Sequence, residues 1–187
     1  MENFEEIPDD LDLNKAFEII ISRDHFSKPV NEIAKQIQKN KLNIPSLKGI
    51  LNKHKINKIT DLKEEFLDLI LAYINIILND NALTKKELYN VKLLKTIFQI
   101  KEQDFYKYRY AAMREVLRKQ LMLIYRDDDK IDTAESLYKV DLQELFSISY
   151  DQFLEFANEE DFIALFKGSD ITDLDSVIRH AKPKKNK

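Results

Sequence analysis

The sequence predicts an all-α protein, a helical bundle with an internal duplication of about 48 residues. Residues 69–108 read again at 117–156, so that Leu94, Phe98, Ile100 and Phe105 fall on Leu142, Phe146, Ile148 and Phe153 without a gap. Upstream, Leu69, Tyr73 and Ile76 fall on Leu117, Leu121 and Ile124, and Asp80 falls on Asp128. A period of this length is the mark of one supersecondary unit used twice, each copy covering the other's apolar face. Only two Gly and four Pro occur in 187 residues, which leaves little material for β-turns or long loops.

The helix starts are written as capping boxes, in which a hydroxyl or carboxylate and a longer polar side chain reciprocally satisfy first-turn amides. Thr84 with Glu87 forms one, stapled by Leu83 and Leu88; Asp132 with Glu135 repeats it behind Ile131; Ser149 with Gln152 forms a third, with Ile148 and Phe153 as its staple pair. From these starts the apolar period of 3.6 predicts helices near 12–24, 30–40, 46–54, 60–78, 84–98, 102–126, 132–146, 150–166 and 172–180. The segment 60–78 is apolar on almost every side and belongs mid-bundle. The long helix 102–126 is expected to join the two units, with Phe105, Tyr108, Ala112 and Val116 inward. Three parts follow: an N-terminal helical segment 1–59, lysine-rich from residue 28, a duplicated bundle 60–180, and a basic disordered tail 181–187.

Composition narrows the chemistry. With no Cys there is no disulfide framework, thiolate metal site or thiol nucleophile. His25, His54 and His180 sit in separate segments, and the two glycines, Gly49 and Gly168, make no phosphate loop. Glu64–Glu65 and Glu159–Glu160 read as solvated helix surface. No enzyme activity is therefore expected. Residues 1–12 are acidic, unlike a secretory leader, and the longest apolar run, 66–78, is shorter than a membrane span and carries Asp68 and Asn75. A cytoplasmic protein without membrane insertion is expected.

Net charge is −3, but residues 1–27 hold two basic and eight acidic side chains while residues 28–63 hold nine lysines against two acids. Lys35, Lys39, Lys53 and Lys55 are the candidate phosphate contacts of a nucleic-acid-binding reading, and 32–35 with 46–48 loosely match a helix-turn-helix. Against it stand a connection longer than the usual turn and no Arg to read guanine edges. Mutual packing of the acidic and basic segments is the preferred reading. In 105–110 aromatics alternate with cations, but a helix splits them into Phe105 with Tyr108 facing inward and Tyr106 with Tyr110 facing a partner; Arg114 and Arg118 extend that outer face.

An EF-hand places Glu87 and Glu135 at the twelfth loop position, yet its first and third ligand positions then hold Ile76 and Leu78, or Ile124 and Arg126. The acids Asp80, Glu87, Asp128, Asp132 and Glu135 remain a candidate for a weakly held divalent cation, with capping as the competing role of Asp132 and Glu135. No other cofactor is expected.

The pattern 78–84 with Glu87, then Phe98-Gln99-Ile100, and its second occurrence at 128–132 with Glu135 and Phe146-Ser147-Ile148, resembles the TerB-like family, known from tellurite resistance and bacterial stress and defence modules. The likeness covers roughly residues 60–166. It implies a duplicated helical bundle, a metal role for the five acids just named, and a sensing or adaptor module acting through protein–protein interaction. The chain departs from the family by Asn81 and Asp129 where Gly is common and by its N-terminal segment. Two alternatives stand beside this expectation: a nucleic-acid-associated accessory protein using the lysine-rich segment, and a small immunity or antitoxin-like protein whose acidic surface covers a basic toxin.

Overall fold

A computed structural model describes residues 12–80, 82–124 and 133–157. These form helices α1 (Leu13–Arg23), α2 (Lys28–Gln38), α3 (Ile44–Lys53), α4 (Lys63–Ile77), α5 (Lys85–Ile97), α6 (Asp104–Tyr108), α7 (Tyr110–Ile124), α8 (Thr133–Phe146) and α9 (Tyr150–Ala157), with a 3-10 turn at Ile59–Leu62 leading into α4. No strand occurs among the described residues, so the protein is an all-α bundle. The expected helix 172–180 and the basic tail lie outside the described residues.

One apolar core runs from α1 to α9. Helix α4 is its axis, with Phe66, Leu67, Leu69, Ile70, Tyr73 and Ile74 all fully buried, as its all-round hydrophobicity requires. It packs on α1 and α5, α1 on α2, α2 on α3, α5 on α8, and α7 on both α8 and α9. The rings of Phe66 and Phe98 stack at 4.0 Å, and those of Phe105 and Phe146 meet edge to face at 5.6 Å. Phe17 of α1 lies against Tyr73 at 6.0 Å, which ties the N-terminal segment into the same core.

Two expected capping boxes are in place. The Thr84 amide and hydroxyl both donate to the Glu87 carboxylate, at 2.8 and 2.9 Å, and the Glu87 amide donates back to Thr84 Oγ1. The Ser149 amide donates to Gln152 Oε1 and the Gln152 amide to Ser149 Oγ. The Asp132 box lies outside the described residues. Helix α3 starts at Ile44 rather than residue 46, because Asn43 and Ser46 make a box of their own ahead of Pro45. Helix α2 likewise starts at Lys28, with Pro29 in its first turn, where a missing amide costs nothing.

Four helix ends, those of α2, α3, α5 and α8, use the same device. Asn40, Lys55, Gln99 and Ser147 all adopt left-handed backbone, with φ of 53°, 57°, 55° and 51°. The residue after each donates its amide five residues back: Lys41 to Gln36, Ile56 to Leu51, Ile100 to Lys95 and Ile148 to Gln143. These are Schellman ends, usually the work of glycine, built here from side-chain-bearing residues in a chain that holds only two glycines. The ends at Gln99 and Ser147 are 48 residues apart. So are the Lys101 amide donating to Asp104 and the Ser149 amide donating to Gln152, and the fully buried pairs Leu69/Leu117 and Tyr73/Leu121. Local caps and turns thus recur at the sequence period.

The expected continuous helix 102–126 is broken. Arg109, at φ −136° and ψ 33°, separates α6 from α7. Its guanidinium reaches across to α4, donating to Asp68 Oδ2 at 2.8 Å, to Glu64 Oε2 at 2.8 Å and to the Glu64 carbonyl at 3.2 Å. The break shifts the inward stripe to Phe105, Met113, Leu117, Gln120 and Leu121; Ala112 is exposed and Val116 only half-buried, which corrects the straight-helix expectation. Glu64 and Glu65 are likewise more than solvated surface: Glu64 holds Arg109, and Glu65 accepts the Ser27 amide at 3.1 Å.

Candidate functional site

The aromatic run at 105–110 divides differently from its helical expectation. Phe105 is fully buried, whereas Tyr108 is 37% exposed, because the chain leaves the helix at the next residue. Tyr106 and Tyr110 do share a face, meeting edge to face at 5.1 Å, but Phe156 of α9 lies against both, at 6.4 and 5.4 Å. Tyr106 also donates its hydroxyl to Glu155 at 2.9 Å, and this carboxylate pushes the phenol pKa up. Tyr106 is thus engaged within the chain, leaving Tyr110, 38% exposed, as the more open of the pair. Arg114 and Arg118 are half-buried on α7.

Of the five acids proposed for a cation, Asp128 and Asp132 lie outside the described residues, as does the side chain of Glu135. Asp80 accepts the Ala82 amide at 3.0 Å, the bond of an Asx turn. Glu87 is buried, with its carboxylate committed to Thr84. Among the described residues no group of three His, Cys, Asp or Glu is placed to hold a metal ion.

A polar network links α8, α7 and the end of α4. Tyr138 of α8 donates to Gln120 Oε1 of α7 at 2.6 Å, and Gln120 Nε2 donates to the Leu78 carbonyl at the end of α4, at 3.4 Å. Burial pushes the Tyr138 phenol well above its ordinary value, and the charges of Asp80, Asp141 and Glu87 push it further. At the opposite end Lys95 of α5 is buried with no carboxylate in contact. Its ammonium donates to the Glu144 carbonyl at 3.0 Å and to Ser147 Oγ at 2.8 Å, and lies over the Phe105 ring. Desolvation depresses its pKa to about 8.

The lysines of the nucleic-acid reading are all exposed on α2, α3 and their ends. Lys53 is paired with Glu32 at 2.7 Å, a contact within this region and not with the acidic residues 1–27. Asp12, at the end of that acidic stretch, pairs with Lys86 of α5 at 2.6 Å. Among the described residues Lys35, Lys39, Lys41, Lys48, Lys55 and Lys58 make no ion pair.

One concave feature was not foreseen. A groove of about 670 Å³ lies between α3, the segment that follows it and the C-terminal end of α5. Leu42, Leu47, Leu51, Ile56, Ile59 and Ile97 supply its apolar lining, and Asn43, Asn52, Asn57, Thr96 and Gln99 its polar edge. Lys48 lines it; Lys41, Lys55 and Lys58 each adjoin a lining residue in the chain, and no acid lines it. Ile44 stands at its edge 70% exposed. A volume of this size falls in the range of binding clefts. The signal in the sequence was Leu42, Ile44, Ile56 and Ile59, apolar residues at helix ends and in the connection, where the helical period assigns no inward face.

Among the described residues no helix is long and apolar enough to cross a membrane. The fold and groove define an all-α protein with an open apolar cleft beside α3. Compared with protein-family models, curated proteins and solved structures, the chain matches none. The TerB-like resemblance rests on the motifs at 78–100 and 128–148 alone.

Proposed function

We propose that the chain is a non-enzymatic binding or adaptor module that works by holding a protein partner, TerB-like in kind and serving a bacterial stress or defence system. The observation that carries the binding role is the groove between α3 and α5, with its apolar lining and the exposed Ile44 at its edge. Solvated apolar surface of this kind is stabilised when a partner covers it. Titratable groups with displaced pKa values lie elsewhere: Lys95 and Tyr138 are buried in helix–helix contacts and engaged by neighbouring side chains and carbonyls, as structural groups are. The recurrence of caps and turns at 48 residues supports the duplicated bundle, and the quoted motifs support the family reading.

The test is capture from host extract on the intact chain and on Ile44→Asp in parallel. Ile44 is the first residue of α3, where an acid suits the helix dipole, so the variant keeps the fold. Proteins retained by the first and lost by the second support the reading; capture that ignores the substitution, or yields nucleic acid alone, overturns it. The nucleic-acid reading stays second on one observation, the exposed lysines of α2 and α3, of which Lys35 and Lys48 make no ion pair among the described residues.

A further inference from the structure

Resting on that reading, we infer that the groove between α3 and the end of α5 takes an acidic amphipathic helix of a partner protein. Three observations fix this chemistry. First, the cleft has an apolar floor and a basic surround: Lys48 in its wall and Lys41, Lys55 and Lys58 next to lining residues, with no acid among the lining. Opposed charge around an apolar anchor steers encounter and excludes like-charged partners. Second, the cations come from separate points of the chain, Lys41 before α3, Lys48 within it and Lys55 and Lys58 after it, and all four are exposed. A ligand with a single acidic head matches one cation; a helix with several Asp or Glu on its polar face matches all of them. Third, Ile44, 70% exposed at the edge of the lining, offers an apolar contact beside those of the floor, and a helix with apolar anchors at i, i+3, i+4 and i+7 reaches several such contacts at once.

Among the described residues Lys41, Lys48, Lys55 and Lys58 make no ion pair. Lys53 is held by Glu32, and Asp12 pairs with Lys86 of α5. Within the described residues these cations stay open to an incoming acid.

The experiment is selection of a displayed library of random helical peptides on the intact chain, with counter-selection on Ile44→Asp. The expected survivors carry apolar residues at helical spacing and an excess of Asp and Glu. Against them, the charge-reversed chain with Lys41, Lys48 and Lys58 changed to Glu loses about tenfold or more in affinity, and peptides with Glu exchanged for Lys recover binding to that variant. These lysines are exposed, so the reversed chain folds, which circular dichroism checks. Survivors without an acid excess, indifference to the charge reversal, or the absence of any Ile44-dependent survivor would overturn the inference. A free peptide of residues 1–11, which carries Glu2, Glu5, Glu6, Asp9 and Asp10, is run as a competitor; binding by it in preference to every library peptide assigns the groove to the chain's own end and overturns the partner. Capture from host extract that still depends on Ile44 while the library selects neutral peptides would leave the binding module standing and remove only its acidic ligand.

Discussion

Lys95 donates to Ser147 Oγ at 2.8 Å, joining the last turn of α5 to the end of α8. The same ammonium donates to the Glu144 carbonyl, one of the acceptors that the terminus of α8 leaves without an intrahelical partner. The bond complements the negative end of the helix, yet it holds a charge out of water with no counterion, and desolvation wins: the pKa falls to about 8.

A pH dependence follows. Between about pH 8 and the unfolded value near 10.5 the unfolded chain binds a proton at Lys95 that the folded chain does not, so stability rises with pH across that window. Below it both states are protonated and the full burial penalty is present. From about pH 7 to about pH 9.5 this site adds about 2 kcal/mol, read as a rising urea midpoint. Lys95→Met removes the rise. Above about pH 10 the raised Tyr138 phenol acts oppositely, since its folded state then binds the extra proton, so the comparison belongs below that point.

None of the four left-handed helix ends is a glycine. Gly49 lies inside α3 with open space where a Cβ would stand, and Gly49→Ala should stabilise by about 0.5–1 kcal/mol. Lys55, exposed and at φ 57°, bears the cost of a Cβ in left-handed backbone, and Lys55→Gly should gain a comparable amount, about 0.5–1 kcal/mol. Both are measured by denaturant unfolding; a loss in either would mean that unfolded-state entropy or a side-chain contact outweighs the local geometry.

Arg109 predicts a graded loss. Its planar fork binds Asp68 and Glu64 together while its own backbone marks the α6–α7 break, and the partners hold its pKa above the ordinary arginine value. Because both carboxylates are partly exposed, solvent screening keeps the cost of Arg109→Met to about 1–2 kcal/mol. Arg109→Lys keeps the charge and loses the fork, and should recover less than half of that. Equal stability of the Lys variant and the native chain would show that charge alone sets the break.

What the sequence made legible follows from where its information is local. Caps at Thr84 and Ser149 are decided by residues within one turn, and α4 by a composition that suits only an interior. The break at Arg109 depends on Asp68 and Glu64, some forty residues earlier, and no local pattern announces it. The Asn43 box was local and readable, with Pro45 beside it, but a polar asparagine in a lysine-rich stretch reads first as loop. The groove is assembled from α3 and the far end of α5, so its residues share no period.

Glu87 separates capping from cation binding. Its carboxylate accepts two hydrogen bonds from Thr84 in a buried position, so Glu87→Ala should cost about 1–2 kcal/mol, with or without added calcium or magnesium. Binding to the folded state would raise the melting temperature with ion concentration by mass action. No such rise is expected at millimolar ion. A saturable rise that Asp128→Ala or Glu135→Ala abolishes would return the acidic loops to the status of a metal site.

The lysine-rich segment supplies the last prediction. Phosphate neutralisation by Lys35, Lys39, Lys53 and Lys55 would release counterions, so affinity for any duplex or single strand would fall steeply with salt. These four are exposed, and Lys53 is already held by Glu32, which a phosphate would have to displace. Residues 64–178 carry 14 basic and 23 acidic side chains, a long-range repulsion for any polyanion that nears the bundle. Labelled oligonucleotides titrated against the intact chain should therefore bind weakly or undetectably near physiological ionic strength. The variant with all four lysines changed to Ser should scarcely differ there. Tight binding by the intact chain at that salt, lost in the variant, would put nucleic acid ahead of a protein partner. It would also turn the basic border of the groove into part of a phosphate-tracking surface.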